Sequence, residues 1–239
     1  MGYKETTLTF HEDKITYIGN PAEGMPDYEE AYSGLENEEI EVMMSWEAPI
    51  MEKSAEFVCQ NGGDILEIGF GMGDSLLQMA QAEPETQFVG IEVHRPGVGR
   101  LLSQALGLGI GNLRVYAEDA VDVLSHCLAP ASLDAVHIFF PDPWHKKRHH
   151  KRRLIQPKFV GDLAHLMRED AYLHLATDWT PYAEHMFDVL DAEPLLINAG
   201  GAPRRAVARP DYRPVTKFER RGERLGHAVQ DLMYLRVSS

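Results

Sequence analysis

The chain has 239 residues, of which 44% are hydrophobic and 25% charged, and its formal net charge at pH 7 is −14. This length and composition are typical of a globular protein with a sizeable core. No apolar run approaches the roughly 20 residues that span a bilayer, so we expect no membrane segment. Cys59 and Cys127 form no C-x-x-C pair, which argues against a disulfide framework or a zinc site and predicts a reducing, cytoplasmic location.

Residues 1–63 differ from the rest of the chain and are predicted to form an N-terminal extension. Two β-rich runs, 7–10 and 15–18, flank a polar turn and predict a small hairpin. A helical stretch is expected to begin after Ser45, which suits an N-cap, and to end at residues 61–63, Asn-Gly-Gly.

From residue 64 to residue 239, apolar runs alternate with amphipathic runs. Strands are predicted at 64–70, 87–93, 113–117, 133–140, 171–177, 195–198 and 231–237. Helices are predicted at 74–82, 94–106, 119–128, 156–169 and 180–190. Strands that alternate with helices form right-handed βαβ crossovers, so the sequence predicts a doubly wound α/β domain whose mostly parallel sheet is covered on both faces.

The first of these strands leads into a glycine-rich turn that is typical of a cofactor site. Glu67 precedes Gly69, Gly71 and Gly73, and glycines let the backbone turn tightly and approach a ligand closely. A dinucleotide fingerprint needs a glycine where this chain has Asp74, which argues against NAD. A turn of this kind can also serve helix–strand packing alone.

Carboxylates also end the next two predicted strands, at Glu92 and Asp119. The carboxyl ends of parallel strands meet at one edge of the sheet, so we expect Glu67, Glu92 and Asp119 to converge on one crevice. Carboxylates there match the amino group, ribose hydroxyls and adenine amine of S-adenosylmethionine, which is the predicted cofactor.

The fourth strand ends at Pro141-Asp142-Pro143. Proline cannot donate to a β-ladder, so Asp142 must lie in a rigid turn at the edge where open α/β sheets bind ligands. Six cations follow within eight residues: Lys146, Lys147, Arg148, Lys151, Arg152 and Arg153. On so acidic a chain this basic tract, Lys146–Arg153, predicts a footprint for nucleic-acid phosphates, and the alternative is a solvated charged turn. A second group of cations, from Arg204 to Arg224, is expected to extend the basic face.

No metal site is predicted. His145 directly precedes the basic tract and His149 and His150 lie within it, but no Cys or carboxylate stands at ligand spacing beside them.

The pattern Glu67-x-Gly69-x-Gly71-x-Gly73, together with Glu92 and Asp119, resembles the cofactor motifs of class I S-adenosylmethionine-dependent methyltransferases. This resemblance implies a Rossmann-like, seven-stranded sheet whose last strand is antiparallel.

Three later motifs resemble the bacterial tRNA (guanine-N(7))-methyltransferases, which modify position 46 in the variable loop. They are Pro-Asp-Pro-Trp and the basic tract at 141–153, Ala-Thr-Asp-Trp at 176–179, and the segment 213–227. The likeness covers residues 64–237 and implies a partner tRNA. It also implies that Asp142 is the catalytic position and contacts the cofactor.

The same resemblance implies substrate contacts at Lys146, Asp178 and the four residues Thr216, Lys217, Phe218 and Glu219. The residues alone are equally consistent with purely structural roles. Asp178 could cap the helix that begins near Thr180, Phe218 could belong to the core, and Glu219 could pair with the neighbours of Arg220 on a helix face.

The N-terminal segment resembles a different family, the guanidinoacetate-type methyltransferases, so the chain has the character of a hybrid joined near residues 64–74. Two further hypotheses therefore stand beside a tRNA methyltransferase: a small-molecule guanidino N-methyltransferase, and a non-catalytic RNA-binding protein with a vestigial cofactor pocket. The basic tract would repel a guanidine cation, and the intact acids argue against the vestigial pocket. The tRNA species and the oligomeric state, monomer or homodimer, stay open.

Overall fold

A computed structural model describes residues 8–10, 14–19, 38–44, 65–215, 219–220, 226 and 228–238. The chain divides into two units, Met1–Lys53 and Ser54–Ser239. The domain boundary predicted at residues 63 and 64 lies outside the described residues. None of the helices in the described ranges has the length and apolar character that a bilayer crossing requires.

The first unit contains a three-stranded antiparallel sheet in the order β1 (Leu8–Phe10), β2 (Lys14–Gly19) and β3 (Glu38–Met44). Leu8 lies opposite Tyr17, which confirms the predicted hairpin. Strand β3 was not predicted, although Ile40 and Val42 alternate with glutamates as in a half-exposed strand. The helix predicted after Ser45 lies outside the described residues.

The second unit alternates strands and helices along residues 65–238. Its strands are β4 (Ile65–Ile68), β5 (Phe88–Ile91), β6 (Leu113–Tyr116), β7 (Leu133–Phe139), β8 (Met167–Thr177), β9 (Leu196–Asn198) and β10 (Gln230–Arg236). Its α-helices are α1 (Asp74–Ala82), α2 (Arg95–Leu108), α3 (Ala120–His126), α4 (Pro157–Leu166) and α5 (Thr180–Leu190). A 3₁₀ helix, Lys147–Arg152, lies in the basic tract.

These strands form one seven-stranded sheet in the order β6-β5-β4-β7-β8-β10-β9. The five strands from β6 to β8 are parallel, and β10 is antiparallel to both β8 and β9. The predicted doubly wound, mostly parallel sheet with an antiparallel last strand is therefore confirmed. Its strand order reverses between β4 and β7, and ligands of open α/β sheets bind at such a switch point.

Helices cover both faces of the sheet, which explains why its strands are almost continuously apolar. On one face, Leu66 and Leu173 belong to a core cluster that includes residues of α3, α4 and α5. On the other face, Phe88 and Val115 belong to a second cluster with residues of α1 and α2. Successive side chains of a strand point to opposite faces of the sheet, so alternate residues of each strand are buried against the helices on each face.

Strand β8 begins at Met167, four residues before the predicted start at residue 171. The preceding helix, which was expected to reach residue 169, ends at Leu166. Met167 is fully buried and lies opposite Leu133 of β7. The pairing then shifts register before Ala135, and Asp170 has a φ of 63°. A bulge of this kind places polar residues at the surface, and in the sequence they looked like the polar face of a helix.

Candidate active site

The turn after β4 needs glycine for its backbone conformation. Gly69, Gly71 and Gly73 have φ values of 76°, 59° and 79°, a region that other residues adopt only with strain. A Cβ at Gly69 or Gly71 would meet no atom within 4 Å, so the φ angle rather than lack of space requires glycine there. At Gly97, near the start of α2, a Cβ would lie 2.0 Å from the carbonyl oxygen of Gly71, so a glycine here lets α2 approach the turn closely.

Glu67 lies in β4, two residues before this turn, and is only 2% exposed. Burial raises the pKa of Glu67 to about 8, against a weaker opposing effect of a hydrogen bond from the Ser75 hydroxyl at 3.5 Å. A carboxyl group with this pKa is mostly protonated at neutral pH. A cationic ligand group above it would favour the charged form.

Glu92 follows β5 and is held by backbone N–H groups. One of its oxygens accepts a hydrogen bond from Gly71 N at 2.7 Å, and the other accepts one from His94 N at 2.8 Å. The first bond joins the carboxylate to the glycine turn. Each carboxylate oxygen has two lone pairs, so these bonds leave acceptor capacity for a ligand hydroxyl.

Asp119 follows β6 and is the N-cap of α3. Its carboxylate accepts a hydrogen bond from Val121 N at 2.8 Å, and its backbone is extended, as N-caps usually are. Its exposed side chain lies at the same edge of the sheet as Glu92.

A cleft of about 490 Å³ opens at the carboxyl ends of β4, β5 and β6. Three of the predicted cofactor residues line it: Gly69, Glu92 and Asp119. Glu67, Gly71 and Asp142 are not among its lining residues. The lining also includes Arg152 and Arg153, so the basic tract borders this cleft.

The sequence prediction missed the apolar part of this lining. Val93 and Val121 lie in the cleft wall beside the two carboxylates, and Val93 is 64% exposed. An apolar residue directly after a strand-end acid is the signal that could have identified Val93. A flat aromatic ligand could pack against such side chains.

Asp142 lies across the switch point from this cleft, in the turn that follows β7. Its side chain is exposed, and one carboxylate oxygen accepts a hydrogen bond from Trp144 N at 3.0 Å. Phe140 and Trp144 have φ values of 52° and 43°, which are rare for bulky residues. The turn is therefore strained and needs support from its surroundings.

The basic tract is mostly exposed. The exposed cations are Lys146, Lys147, Arg148, Lys151 and Arg152. The Arg152 guanidinium lies 5.0 Å from the centre of the Trp144 ring, and His149 contacts the same ring edge-on at 5.7 Å. Arg153 differs, because it is 4% exposed and donates a hydrogen bond to the carbonyl oxygen of Pro143.

Asp178 follows β8, the strand beside β7, and is half-buried. The N-cap position of α5 belongs to Trp179 and carries no side-chain cap bond. The Trp179 ring contacts His145, which directly precedes the basic tract, with ring centres 4.4 Å apart. The ends of β7 and β8 thus carry Asp142 and Asp178 on adjacent strands.

Of the four predicted substrate residues at 216–219, Thr216, Lys217 and Phe218 lie outside the described residues. Glu219 is 5% exposed and forms a two-bond ion pair with Arg213, at 2.7 and 3.1 Å. The expectation that the second group of cations forms a basic face therefore does not hold for Arg213, which is fully buried.

Arg213 also pairs with Asp231 of β10, at 2.6 and 3.0 Å. Burial alone would lower the pKa of Arg213, but the hydrogen bonds with Glu219 and Asp231 raise it above its ordinary value. His174 bonds to Asp231 at 2.8 Å and to the Tyr212 hydroxyl at 2.9 Å. This buried network joins the segment before residue 216 to β8 and β10.

Within the described ranges, no group of His, Cys, Asp and Glu side chains has an arrangement that could hold a metal ion.

Comparison with known proteins places the chain. A family model described as "Putative methyltransferase" matches residues 61–232. A tRNA (guanine-N(7)-)-methyltransferase of Pseudomonas aeruginosa is 59% identical over 171 residues, which cover 72% of this chain and 70% of that protein. A protein of the same name from Methylobacillus flagellatus is 55% identical over 187 residues, covering 78% and 77% of the two chains.

The chain belongs to the tRNA (guanine-N(7)-)-methyltransferase family. A solved structure of an S-adenosylmethionine-dependent methyltransferase from Aquifex aeolicus shares its fold, with a TM-score of 0.51 and 14% identity, and the match covers 79% of this chain and 89% of that one. The family model begins at residue 61, so the likeness of the N-terminal segment to guanidinoacetate-type enzymes stays a prediction.

Proposed function

We propose that the chain transfers the methyl group of S-adenosylmethionine to the N(7) atom of a guanine in tRNA. One observation carries the proposal: the cleft lined by Glu92 and Asp119 is also lined by Arg152 of the basic tract. A cofactor site and a phosphate-binding surface therefore share one edge of the sheet. The named relatives support the same activity.

The residues of the cleft fit the cofactor. Glu92 has lone pairs for ribose hydroxyls, and Asp119 lies where it can accept from the adenine amine. Val93 and Val121 offer apolar surface to the adenine ring. Glu67 does not line the cleft, and its buried carboxyl, in β4 two residues before the glycine turn, is the proposed partner of the ammonium end. The bound cofactor supplies an electrophilic methyl group.

Methylation of the guanine N(7) atom requires no proton transfer by the protein. The N(7) lone pair of guanine lies in the plane of the base and carries no proton, so no general base is needed. The protein must place the nitrogen in line with the methyl group, exclude water and stabilise the positive charge that develops on the purine. Asp142, an exposed carboxylate across the switch point from the cleft, is the proposed catalytic residue.

The five exposed cations of the basic tract are proposed to bind tRNA phosphates. Arg153 is left out of this set because its side chain is buried. Lys146, Asp178, Thr216, Lys217 and Phe218 remain proposed contacts to the base or its nucleotide. Glu219 is left out of this set because its carboxylate is buried against Arg213. Position 46 of the variable loop is the proposed target, and a cytoplasmic location stays a prediction.

The alternative function that can be tested with a specific substrate is that of a guanidino N-methyltransferase acting on guanidinoacetate. The chain should be incubated with methyl-labelled S-adenosylmethionine and either bulk tRNA or guanidinoacetate, and labelled tRNA should then be digested to nucleosides. We expect label in 7-methylguanosine and none in guanidinoacetate. Transfer to guanidinoacetate would support the alternative, and tRNA binding without transfer to either would indicate a non-catalytic RNA-binding protein.

A further inference from the structure

Arg153 ends the basic tract in sequence but does not share its surface. Its neighbours Lys151 and Arg152 are exposed, whereas Arg153 is 4% exposed. We propose that Arg153 is a positioning residue, which holds the turn that carries Asp142 instead of binding a phosphate. The inference rests on the proposed function, since it gives Arg153 a part in presenting the catalytic carboxylate.

Three contacts fix the Arg153 side chain. Its Nε donates to the carbonyl oxygen of Pro143 at 2.9 Å. A terminal nitrogen lies 3.2 Å from Nε2 of His150. The guanidinium carbon lies 4.7 Å from the centre of the Tyr182 ring, which is itself fully buried in α5. The side chain thus spans from the Asp142 turn to a helix of the core.

The turn that carries Asp142 needs such support because its backbone has few N–H groups that could donate hydrogen bonds. Pro141 and Pro143 have no N–H to donate, so the turn must be held mainly through its carbonyl oxygens and through Asp142 itself. Phe140 and Trp144, on either side, have positive φ values that persist only where the surroundings impose them. The Arg153 bond reaches the residue directly after Asp142.

Arginine suits this position better than lysine. A planar guanidinium can donate to two acceptors in fixed directions while its face lies on an aromatic ring. A lysine at 153 could donate to Pro143, but it would lose the planar contact with Tyr182. Arg153→Lys should therefore restore part of the function that Arg153→Ala loses.

The test compares Arg153→Ala and Arg153→Lys with the parent and with Arg152→Ala. At saturating tRNA and cofactor, we expect the single-turnover rate of Arg153→Ala to fall about 10- to 100-fold, because small displacements of a reacting geometry are costly. Arg153→Lys should lie between that value and the parent. Because Arg153 also lines the cleft, the dissociation constant for S-adenosylhomocysteine should be measured in both variants, and the loss of the saturated rate should exceed any change in it.

The salt dependence of tRNA binding separates positioning from phosphate contact. Arg152→Ala should lower the log–log slope by roughly 0.7 to 0.9, whereas Arg153→Ala should leave it unchanged. A lower slope for Arg153→Ala with an unchanged saturated rate would overturn the proposal. So would weaker cofactor binding as the sole effect.

Fluorescence quenching tests the positioning role of Arg153 without an activity assay, and therefore independently of the proposed function. In a chain whose only tryptophan is Trp144, made with Trp46→Phe and Trp179→Phe, Arg153→Ala should make Trp144 more accessible to acrylamide quenching. Equal quenching would contradict a positioning role even if the parent methylated no tRNA. A parent without guanine methylation would defeat the proposed function alone.

Discussion

The two sides of the switch point hold their functional side chains in different ways. On the cofactor side, carboxylates are fixed by backbone N–H groups. Glu92 accepts from Gly71 and His94, and Asp119 accepts from Val121 two residues along. These bonds arise wherever a parallel strand ends at a tight turn or at the start of a helix.

On the acceptor side, two buried arginines hold the chain. Arg153 joins the Pro143 carbonyl to Tyr182, and Arg213 joins Glu219 to Asp231. These contacts reach from loops to core elements, and Arg213 also lies 5.7 Å from the ring of Phe140 at the end of β7. A change on the cofactor side should therefore alter cofactor binding alone, whereas a change on the acceptor side should lower the stability of the fold or the rate of methyl transfer.

Arg213→Met should give the largest effect on stability. It leaves two buried carboxylates, Asp231 and Glu219, without their cation, and breaking a buried pair in this way costs about 3–5 kcal/mol of unfolding free energy. Denaturant unfolding measures the loss. Arg205→Met is the matched control, an exposed arginine of the same segment, and should change stability by no more than about 0.5 kcal/mol. Equal losses in the two variants would remove the contrast between buried and exposed arginines.

Asp142→Asn should come next, with a fall of about 10²- to 10³-fold in the rate of methyl transfer. Asparagine can still accept the hydrogen bond from Trp144 N, so the turn is kept while the negative charge is lost. Single-turnover kinetics and calorimetric titration with S-adenosylhomocysteine should show a slow step with unaltered cofactor affinity. An unchanged rate would exclude Asp142 from the mechanism.

Glu92→Gln should weaken cofactor binding by about 1.5–3 kcal/mol, since hydrogen bonds to charged groups contribute this much. The unfolding free energy should change less than in Arg213→Met, because one amide oxygen can still accept a backbone N–H. Asp122→Asn, an exposed acid of α3, serves as the control for loss of one charge. An unaltered dissociation constant for S-adenosylhomocysteine in Glu92→Gln would mean that the cofactor binds elsewhere.

The sequence predicted most of the fold because the fold follows from local patterns. Helices α1 and α5 have the predicted bounds, and the strand-end acids Glu92 and Asp119 do line one cleft. In a parallel sheet, strand ends meet at one edge, so the position of an acid in sequence indicates its position in space.

The arginines could not be sorted in the same way. Arg152 and Arg153 are neighbours in one charged run, and only the contact with Tyr182, far along the chain, makes the second a buried residue. Arg213 was grouped with the cations predicted to form a basic face, because its partner Asp231 lies on a strand 18 residues later in the chain. Long-range side-chain pairing of this kind leaves no periodic signal in a single sequence.

The salt dependence of tRNA affinity measures directly whether the exposed tract beside the cleft binds phosphates. We expect the log–log slope of the triple variant Lys147→Ala, Arg148→Ala, Lys151→Ala to fall by roughly 0.7 for each cation removed, and slightly more if the contacts are to duplex. None of these three cations lines the cleft. S-adenosylhomocysteine should bind the variant as it binds the parent. A slope equal to that of the parent would show that the tract is only a solvated turn and would contradict the account.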